Sequence, residues 1–320
     1  MTRLKVVLLE PLGIGSGELN GLSARLSDYG CEFVSYDSVE TDIEALKQRA
    51  RDADILMLAN NPLPGEVIDA CPKLKYISVA FVGIDHIGQD ACRSRNIHIS
   101  NAAGYCTDAV AELVLGLALD CLRNISACNS AIRRGGTKNG LIGHELRGRT
   151  AGIVGTGAIG CRTAELFRAF GCRVLGYSRS QSPLAVSAGI EYVSLPQLLK
   201  ESDIISIHTP LTPETKGLIA EEQINMMKKG AILINTARGP IVDTEAAARA
   251  LNEGRLGALG TDVFDTEPPL LPDHVLLNAK NVVATPHVGF ATEESISRRA
   301  KITFDNVYSW LDGKLINQAL

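Results

Sequence analysis

Residues 150–180 read TAGIVGTGAIGCRTAELFRAFGCRVLGYSRS. A short apolar run stops at Gly155, and Gly155, Gly157 and Gly160 have the spacing G-x-G-x-x-G. CRTAELFRAFG follows with helical character to Gly171, and CRVLGYS is the next apolar run. Strand, glycine turn, helix and strand within about 30 residues make the dinucleotide-binding unit of a doubly wound α/β sheet. Gly155 permits the tight turn, Gly157 lets a pyrophosphate approach the backbone, and Gly160 lets helix and strand pack closely. Ala158 and Ile159 open the helix, whose free N–H groups and positive dipole end suit phosphate.

One element of this unit is missing. A carboxylate ordinarily follows about 20 residues on and accepts the adenosine ribose hydroxyls. Here Ser178 holds that place, and there is no Asp or Glu between Glu165 and Glu191. A carboxylate would repel a ribose 2′-phosphate, whereas Ser178 and Ser180 can donate to one and Arg179 can pair with it. Such a contact contributes roughly 1.5–3 kcal/mol, enough to set a preference. The expectation is NADP(H) over NAD(H). The alternative is a site that accepts both, with Arg179 on the adenine face or in solvent.

Outward from the turn, β-type runs alternate with amphipathic segments. Before it come LKVVLLE (4–10), CEFVSYD (31–37), ADILMLA (53–59), LKYISVA (74–80) and IHISNA (97–102), with helical DIEALKQRARD at 42–52. After it come DIISIHT (203–209), GAILINT (230–236), LGALGTDVF (256–264) and NVVATPH (281–287), then a terminal helical pattern at 291–313. The expected fold is α/β with two doubly wound parallel-sheet domains: a Rossmann dinucleotide-binding domain (101–289) and a flavodoxin-like substrate or lid domain (1–100 plus 290–320). A cleft between two such domains is the natural ligand site.

Bulk composition narrows the class. The 320 residues are 45% hydrophobic and 21% charged, as in soluble globular proteins. A net charge of -4 argues against a nucleic-acid surface. The eight cysteines show neither a CxxC pair nor zinc spacing, so buried reduced thiols and no metal site are expected. The start of the chain lacks signal-peptide character, and the apolar segment 109–122 contains Glu112 and Asp120. A cytoplasmic, membrane-free protein is expected.

Chemistry gathers at three later strand ends. Arg238 ends AILINTARG, Glu267 follows LGTDVFDT with Asp262 at that strand's own end, and His287 ends NVVATPH. Ligands of parallel sheets bind outside the carboxyl ends of the strands, so these groups are expected to converge. A guanidinium holds a carboxylate through two parallel hydrogen bonds and polarises a neighbouring carbonyl. A histidine gives or takes a hydroxyl proton near neutral pH, and an adjacent carboxylate orients it and favours its protonated form.

Together with NAAGYCTDAVAELVLGLAL, SIHTPLTPETKGLI and MKKGAILINTARGPIVD, these motifs resemble the D-isomer-specific 2-hydroxyacid dehydrogenase family from about residue 50 to 312. The resemblance implies that Arg238 binds substrate and that Glu267 and His287 are the acid/base pair. Asp262 then anchors the nicotinamide carboxamide, and Thr209, Pro210, Thr215, Thr236, Ala237 and Gly289 line the cofactor. The loop AFVGIDHI places Phe81, Val82 and Gly83 at the substrate, the last two through backbone N–H groups. It also implies a homodimer formed through residues near 105–130, and domain closure that excludes water around the reacting groups.

Departures refine the reading. Besides the ribose acid, the connector 133–150 lacks the tryptophan of many relatives, and Phe81 stands where a small residue is common. Glu267 argues against the formate-oxidising branch, and the chain ends without the regulatory extension of many phosphoglycerate dehydrogenases. The expected reaction is reduction of a small 2-keto acid to the D-2-hydroxy acid, resembling glyoxylate or hydroxypyruvate reduction. Alternatives are a nucleotide-sensing corepressor-type binding protein on the same fold, or a phosphite-type dehydrogenase.

Overall fold

The computed structural model describes residues 3–266 and 269–320. The chain divides into two compact units, Met1–Cys106 with Ala291–Leu320, and Thr107–Phe290.

The first unit is built on five parallel strands, β1 (Lys5–Leu8), β2 (Glu32–Ser35), β3 (Ile55–Leu58), β4 (Tyr76–Val79) and β5 (His98–Ser100), in the order β2-β1-β3-β4-β5. Every residue of β3 and β4 is buried, as expected for central strands covered on both faces, while the edge strand β2 is half exposed. The last helix, Glu293–Leu311, starts at a Thr292 cap whose hydroxyl accepts from the Ser295 N–H. It buries Ala300, Phe304, Val307 and Tyr308, spaced to form one face. Burial of Phe304 alone contributes about 1.5–3 kcal/mol. Trp310 stacks on the buried Tyr76 ring with centroids 5.3 Å apart.

The second unit holds seven parallel strands. They are β6 (Thr150–Val154), β7 (Arg173–Tyr177), β8 (Glu191–Tyr192), β9 (Ile204–Ile207), β10 (Ala231–Asn235), β11 (Leu256–Thr261) and β12 (Val282–Ala284), in the order β12-β11-β10-β9-β6-β7-β8. Counted from β6 this is the nucleotide-binding order 3-2-1-4-5-6 with one further strand, and the direction of winding reverses between β6 and β9. The edge strand β8 was not anticipated, since two residues carry no readable period.

Residues 101–106, assigned by sequence to the nucleotide domain, belong to the first unit. The cause is the helix Thr107–Arg123, which packs on the helix Ala158–Ala169 and on β10 and β11, so the second unit begins where that helix begins. The apolar segment 109–122 lies within the helix Thr107–Arg123. Asn124 adopts a left-handed φ of 55° and separates Thr107–Arg123 from Ile125–Arg133. All eight cysteines are free thiols, and burial pushes Cys71, Cys92 and Cys172 up to about 11 and Cys121 to about 12. Among the described residues no helix is long and apolar enough to cross a membrane.

Candidate active site

The glycine turn leaves β6 with Gly155 at φ +99°, and a Cβ there would lie 2.7 Å from the His208 carbonyl carbon and oxygen. Only glycine satisfies both conditions. At Gly160 a Cβ would lie 2.0 Å from the Gly155 carbonyl oxygen, so the helix Ala158–Ala169 sits directly against the turn. The space above Gly157 is open, and this helix start has no side-chain cap. Its first N–H groups, at Ala158, Ile159 and Gly160, therefore suit an anion.

Beyond β7, Ser178 is half-buried while Arg179 and Ser180 are exposed. Tyr192 of the unforeseen β8 ties this loop to the glycine turn: its hydroxyl lies 2.7 Å from Thr156 Oγ1 and accepts from the Ser182 N–H at 3.1 Å. The carboxyl of Glu214 is held below its usual range, chiefly by a hydrogen bond with Thr212, and the charge of Arg179 acts in the same direction.

Next along the sheet, the Thr209 and Thr236 hydroxyls are buried with no hydrogen-bond partner among the described residues, at the ends of β9 and β10. Buried hydroxyls normally have partners, so a polar ligand is the natural complement of this pair. The hydroxyl of Thr215 stays within its own loop, donating to the Pro210 carbonyl at 2.6 Å and accepting from the Thr212 N–H at 2.7 Å. His208, between Ser206 and Thr209, is half-buried, and desolvation of its ring pushes the imidazole down to about 3. That shift favours the neutral ring, whose Nε2 lies 2.8 Å from Ser206 Oγ. The glycine cradle, the open helix start and the unpartnered hydroxyls together fit a dinucleotide.

Arg238 and His287 are held in different ways. Asn235, at the last position of β10, accepts from the Ala237 N–H at 3.1 Å and donates to the Arg238 carbonyl at 2.9 Å. This buried amide fixes the backbone of Arg238, whose guanidinium is half-buried and donates to the Ala237 carbonyl at 2.8 Å. Sequence reasoning passed over Asn235. Its only signal was a polar residue ending an apolar strand.

Asp262 is 1% exposed and receives three hydrogen bonds from the segment after β12. The Thr285 hydroxyl and the Val288 N–H donate to Oδ1 at 2.6 and 2.8 Å, and the Gly289 N–H donates to Oδ2 at 2.7 Å. The Asp262 carbonyl also accepts from the His287 N–H at 2.9 Å. His287 is thereby held at φ +56°, a left-handed conformation uncommon for a side-chain-bearing residue, with its ring edge-on to Phe290 at 5.9 Å. A carboxylate has about four acceptor positions, so the three donors leave about one for a ligand amide. Thr285, absent from the sequence reading, is part of this strap.

Glu267 lies outside the described residues. The segment that carries it is bordered by Asp265, whose Oδ1 is 2.8 Å from His274 Nε2. The other nitrogen of His274, Nδ1, accepts from the Leu276 N–H, which puts the ring proton on Nε2, toward Asp265.

In the first unit, Phe81 is buried against the Tyr105 ring, centroids 6.1 Å apart. Its carbonyl accepts from the Ala102 N–H at 2.9 Å, and the Val82 carbonyl accepts from Asn101 Nδ2 at 2.7 Å. Among the described residues the N–H groups of Val82 and Gly83 have no acceptor. At the far end of the loop, Gln89 Nε2 donates to the Ile84 carbonyl at 3.2 Å.

The glycine cradle follows β6, and Arg238, Asp262 and His287 follow β10, β11 and β12 of the same sheet, the layout of a dinucleotide-binding domain. The family described as D-isomer specific 2-hydroxyacid dehydrogenase, NAD binding domain, matches residues 115–289. A glyoxylate reductase of Thermofilum pendens is 41% identical over 295 residues, 89% of this chain and 87% of that protein. A hydroxypyruvate reductase of Blautia hydrogenotrophica is 33% identical over 326 residues, covering 98% of this chain and 99% of the other. Among solved structures, a glyoxylate reductase from Paecilomyes thermophila superposes with a TM-score of 0.90 at 29% identity, over 100% of this chain and 99% of that one. The chain belongs to the D-isomer-specific 2-hydroxyacid dehydrogenase family, and its second unit is a nicotinamide-dinucleotide-binding domain.

Proposed function

We propose that the protein reduces a small 2-keto acid, of the size of glyoxylate, hydroxypyruvate or pyruvate, to the D-2-hydroxy acid. The observation that carries this reading is an Asp262-strapped His287 after β12 and an Arg238 whose backbone is fixed by Asn235 after β10, on the two strands that flank β11 in the nucleotide-binding sheet. The names of the relatives support the substrate class.

When bound, the dinucleotide supplies the hydride. Gly155, Gly157, Ala158, Ile159 and Gly160 hold its phosphates, Thr209, Pro210, Thr236 and Ala237 line its path, Thr215 shapes the adjoining loop, and Asp262 and Gly289 border the nicotinamide end. The N–H groups of Val82 and Gly83 bind the substrate carboxylate, beside Phe81. Arg238 pairs with the carboxylate and polarises the keto oxygen. His287 in its protonated form gives the proton to that oxygen, and Glu267 favours the protonated ring. Ser178, Arg179 and Ser180, in the place of the ribose acid, bind a 2′-phosphate.

The test is a spectrophotometric scan of NADPH and NADH oxidation against a panel of 2-keto acids. The expected result is turnover of the small acids, with NADPH preferred. Dinucleotide binding without turnover on any acid would favour a sensor, and turnover with phosphite in the reverse direction would favour the phosphite reading. Within the same scan, Arg179→Ala or Ser178→Asp shifts preference toward NADH by about 10- to 100-fold, the weight of one charge-assisted contact. A wild-type protein that already uses NADH far better than NADPH would sink the phosphate assignment.

We also infer a homodimer. Ile125, Ile132 and Ile142 are 53%, 68% and 87% exposed, which leaves an apolar surface around the helix Ile125–Arg133. Sedimentation equilibrium should report twice the 34.2 kDa chain mass. A monomer at micromolar concentration would refute this.

A further inference from the structure

We propose that Asn101 is a positioning residue for the substrate carboxylate, acting by turning two backbone N–H groups of the 81–84 loop outward. The inference rests on the reading that this loop binds the carboxylate.

Asn101 and Ala102 directly follow β5, and each takes one carbonyl of the neighbouring loop. Ala102 N–H donates to the Phe81 carbonyl at 2.9 Å, and Asn101 Nδ2 donates to the Val82 carbonyl at 2.7 Å. In a trans peptide the carbonyl and the following N–H point in opposite directions. Drawing both carbonyls toward residues 101–102 therefore turns the N–H groups of Val82 and Gly83 away from that segment. Neither has an acceptor among the described residues, and the same holds for the N–H of the next residue, Ile84. Two adjacent N–H groups aimed together make a concavity suited to an anion.

A regular strand would not produce this arrangement, because successive carbonyls along a strand alternate in direction. The first of the two bonds lies beyond the β4–β5 ladder and out of its register, the last ladder pair being Ser78 with Ser100. The second needs a side-chain donor of the right length at position 101.

Asn101 is itself held. Its Oδ1 accepts from the Ala103 N–H at 3.2 Å, its N–H donates to the Asn317 carbonyl at 3.0 Å, and its carbonyl accepts from Asn306 Nδ2 at 2.9 Å. Asn306, fully buried on the last helix, accepts from Asn317 Nδ2 at 2.8 Å. The tail carrying Asn317 is tied to β5 by hydrogen bonds between Ala319 N–H and the Ile99 carbonyl and between Ser100 Oγ and the Ile316 carbonyl, at 2.8 and 2.6 Å. Three asparagines thus link the end of the chain to the loop through bonds that leave little rotational freedom.

The test compares Asn101→Ala with Asn101→Asp. The aspartate still accepts from Ala103 but cannot donate to the Val82 carbonyl, so it separates the loop contact from the local turn. Both variants should raise KM for the keto acid about 10- to 100-fold, the scale of a misplacement of about 1 Å. Both should weaken the binding of oxalate, measured by calorimetry on the dinucleotide-loaded protein, by a similar factor, while KM for the dinucleotide stays at the wild-type value. An unchanged oxalate affinity, or equal losses for both substrates, would overturn the proposal.

A control isolates the underlying reading. Wild-type protein is assayed with a 2-keto acid and its primary amide. If the amide is reduced equally well, the loop does not read a carboxylate and the parent assignment fails. If wild type discriminates and the Asn101 variants do so equally well, only the role of Asn101 fails.

Discussion

Replacing His287 by alanine lowers kcat by about 10²- to 10⁴-fold, the range for a positioned acid or base, with the melting temperature and dinucleotide affinity unchanged. The separation follows from how the residue is built in. Its left-handed backbone is held by main-chain bonds and by the Asp262 carboxylate, none of which needs the imidazole. Alanine keeps that backbone and removes only the proton carrier. Added imidazole should restore part of the rate. A variant with near-full turnover would remove His287 from the chemistry. A variant with full loss and a matching drop in melting temperature would mean the ring serves structure instead.

Asp262→Asn is expected to damage both stability and rate. The substitution is nearly isosteric, but an amide has one accepting oxygen where the carboxylate has two. If its NH₂ faces Gly289, that N–H loses its acceptor; if it faces the other way, the Val288 N–H and the Thr285 hydroxyl lose theirs. With the site 1% exposed, water cannot substitute freely. Loss of charge-assisted bonds plus one orphaned donor costs about 2–4 kcal/mol, which lowers the melting temperature by about 5–15 °C. The released segment then displaces His287, and kcat falls about 100-fold. Calorimetry and turnover on the same preparation check both parts. Wild-type kcat in a destabilised Asp262→Asn would show that the strap stabilises the unit without aiming the histidine.

The two variants together separate chemistry from support. His287→Ala affects rate alone, whereas Asp262→Asn affects both. Only a structure in which one carboxylate holds the histidine segment from beneath predicts that contrast.

Much of this was legible in the chain. The glycine turn could be read because its constraint is local: positive φ at Gly155 and contact at Gly160 arise within six residues. The buried strands announced themselves as apolar runs, although the ladders are shorter than those runs; IHISNA at 97–102 gives only His98–Ser100. Asn101, the next residue, leaves the ladder and turns its side chain to the Val82 carbonyl. Nothing in the sequence near 101 marks that choice, because its partner is 19 residues away. Asn235 and Thr285 were missed for the same reason, since a polar side chain at a strand end reads as solvated until its partner is located. The contacts on Asp262 arrive from 23 to 27 residues further along.

The sequence by itself determined the class of fold, the nucleotide turn, the absence of a ribose carboxylate and the short set of groups able to do acid/base work. Each depends on residue type at fixed local spacing, where backbone sterics and hydrophobic period act directly. Tertiary structure decided which of those groups are held and by what. Parallel strands bring together ends that lie far apart in the chain, and a buried polar atom must find its partner there. Desolvation favours the neutral form of His208, the Asp262 carboxylate holds the segment that carries His287, and the β4–β5 pairing puts Asn101 in reach of the loop that it turns outward.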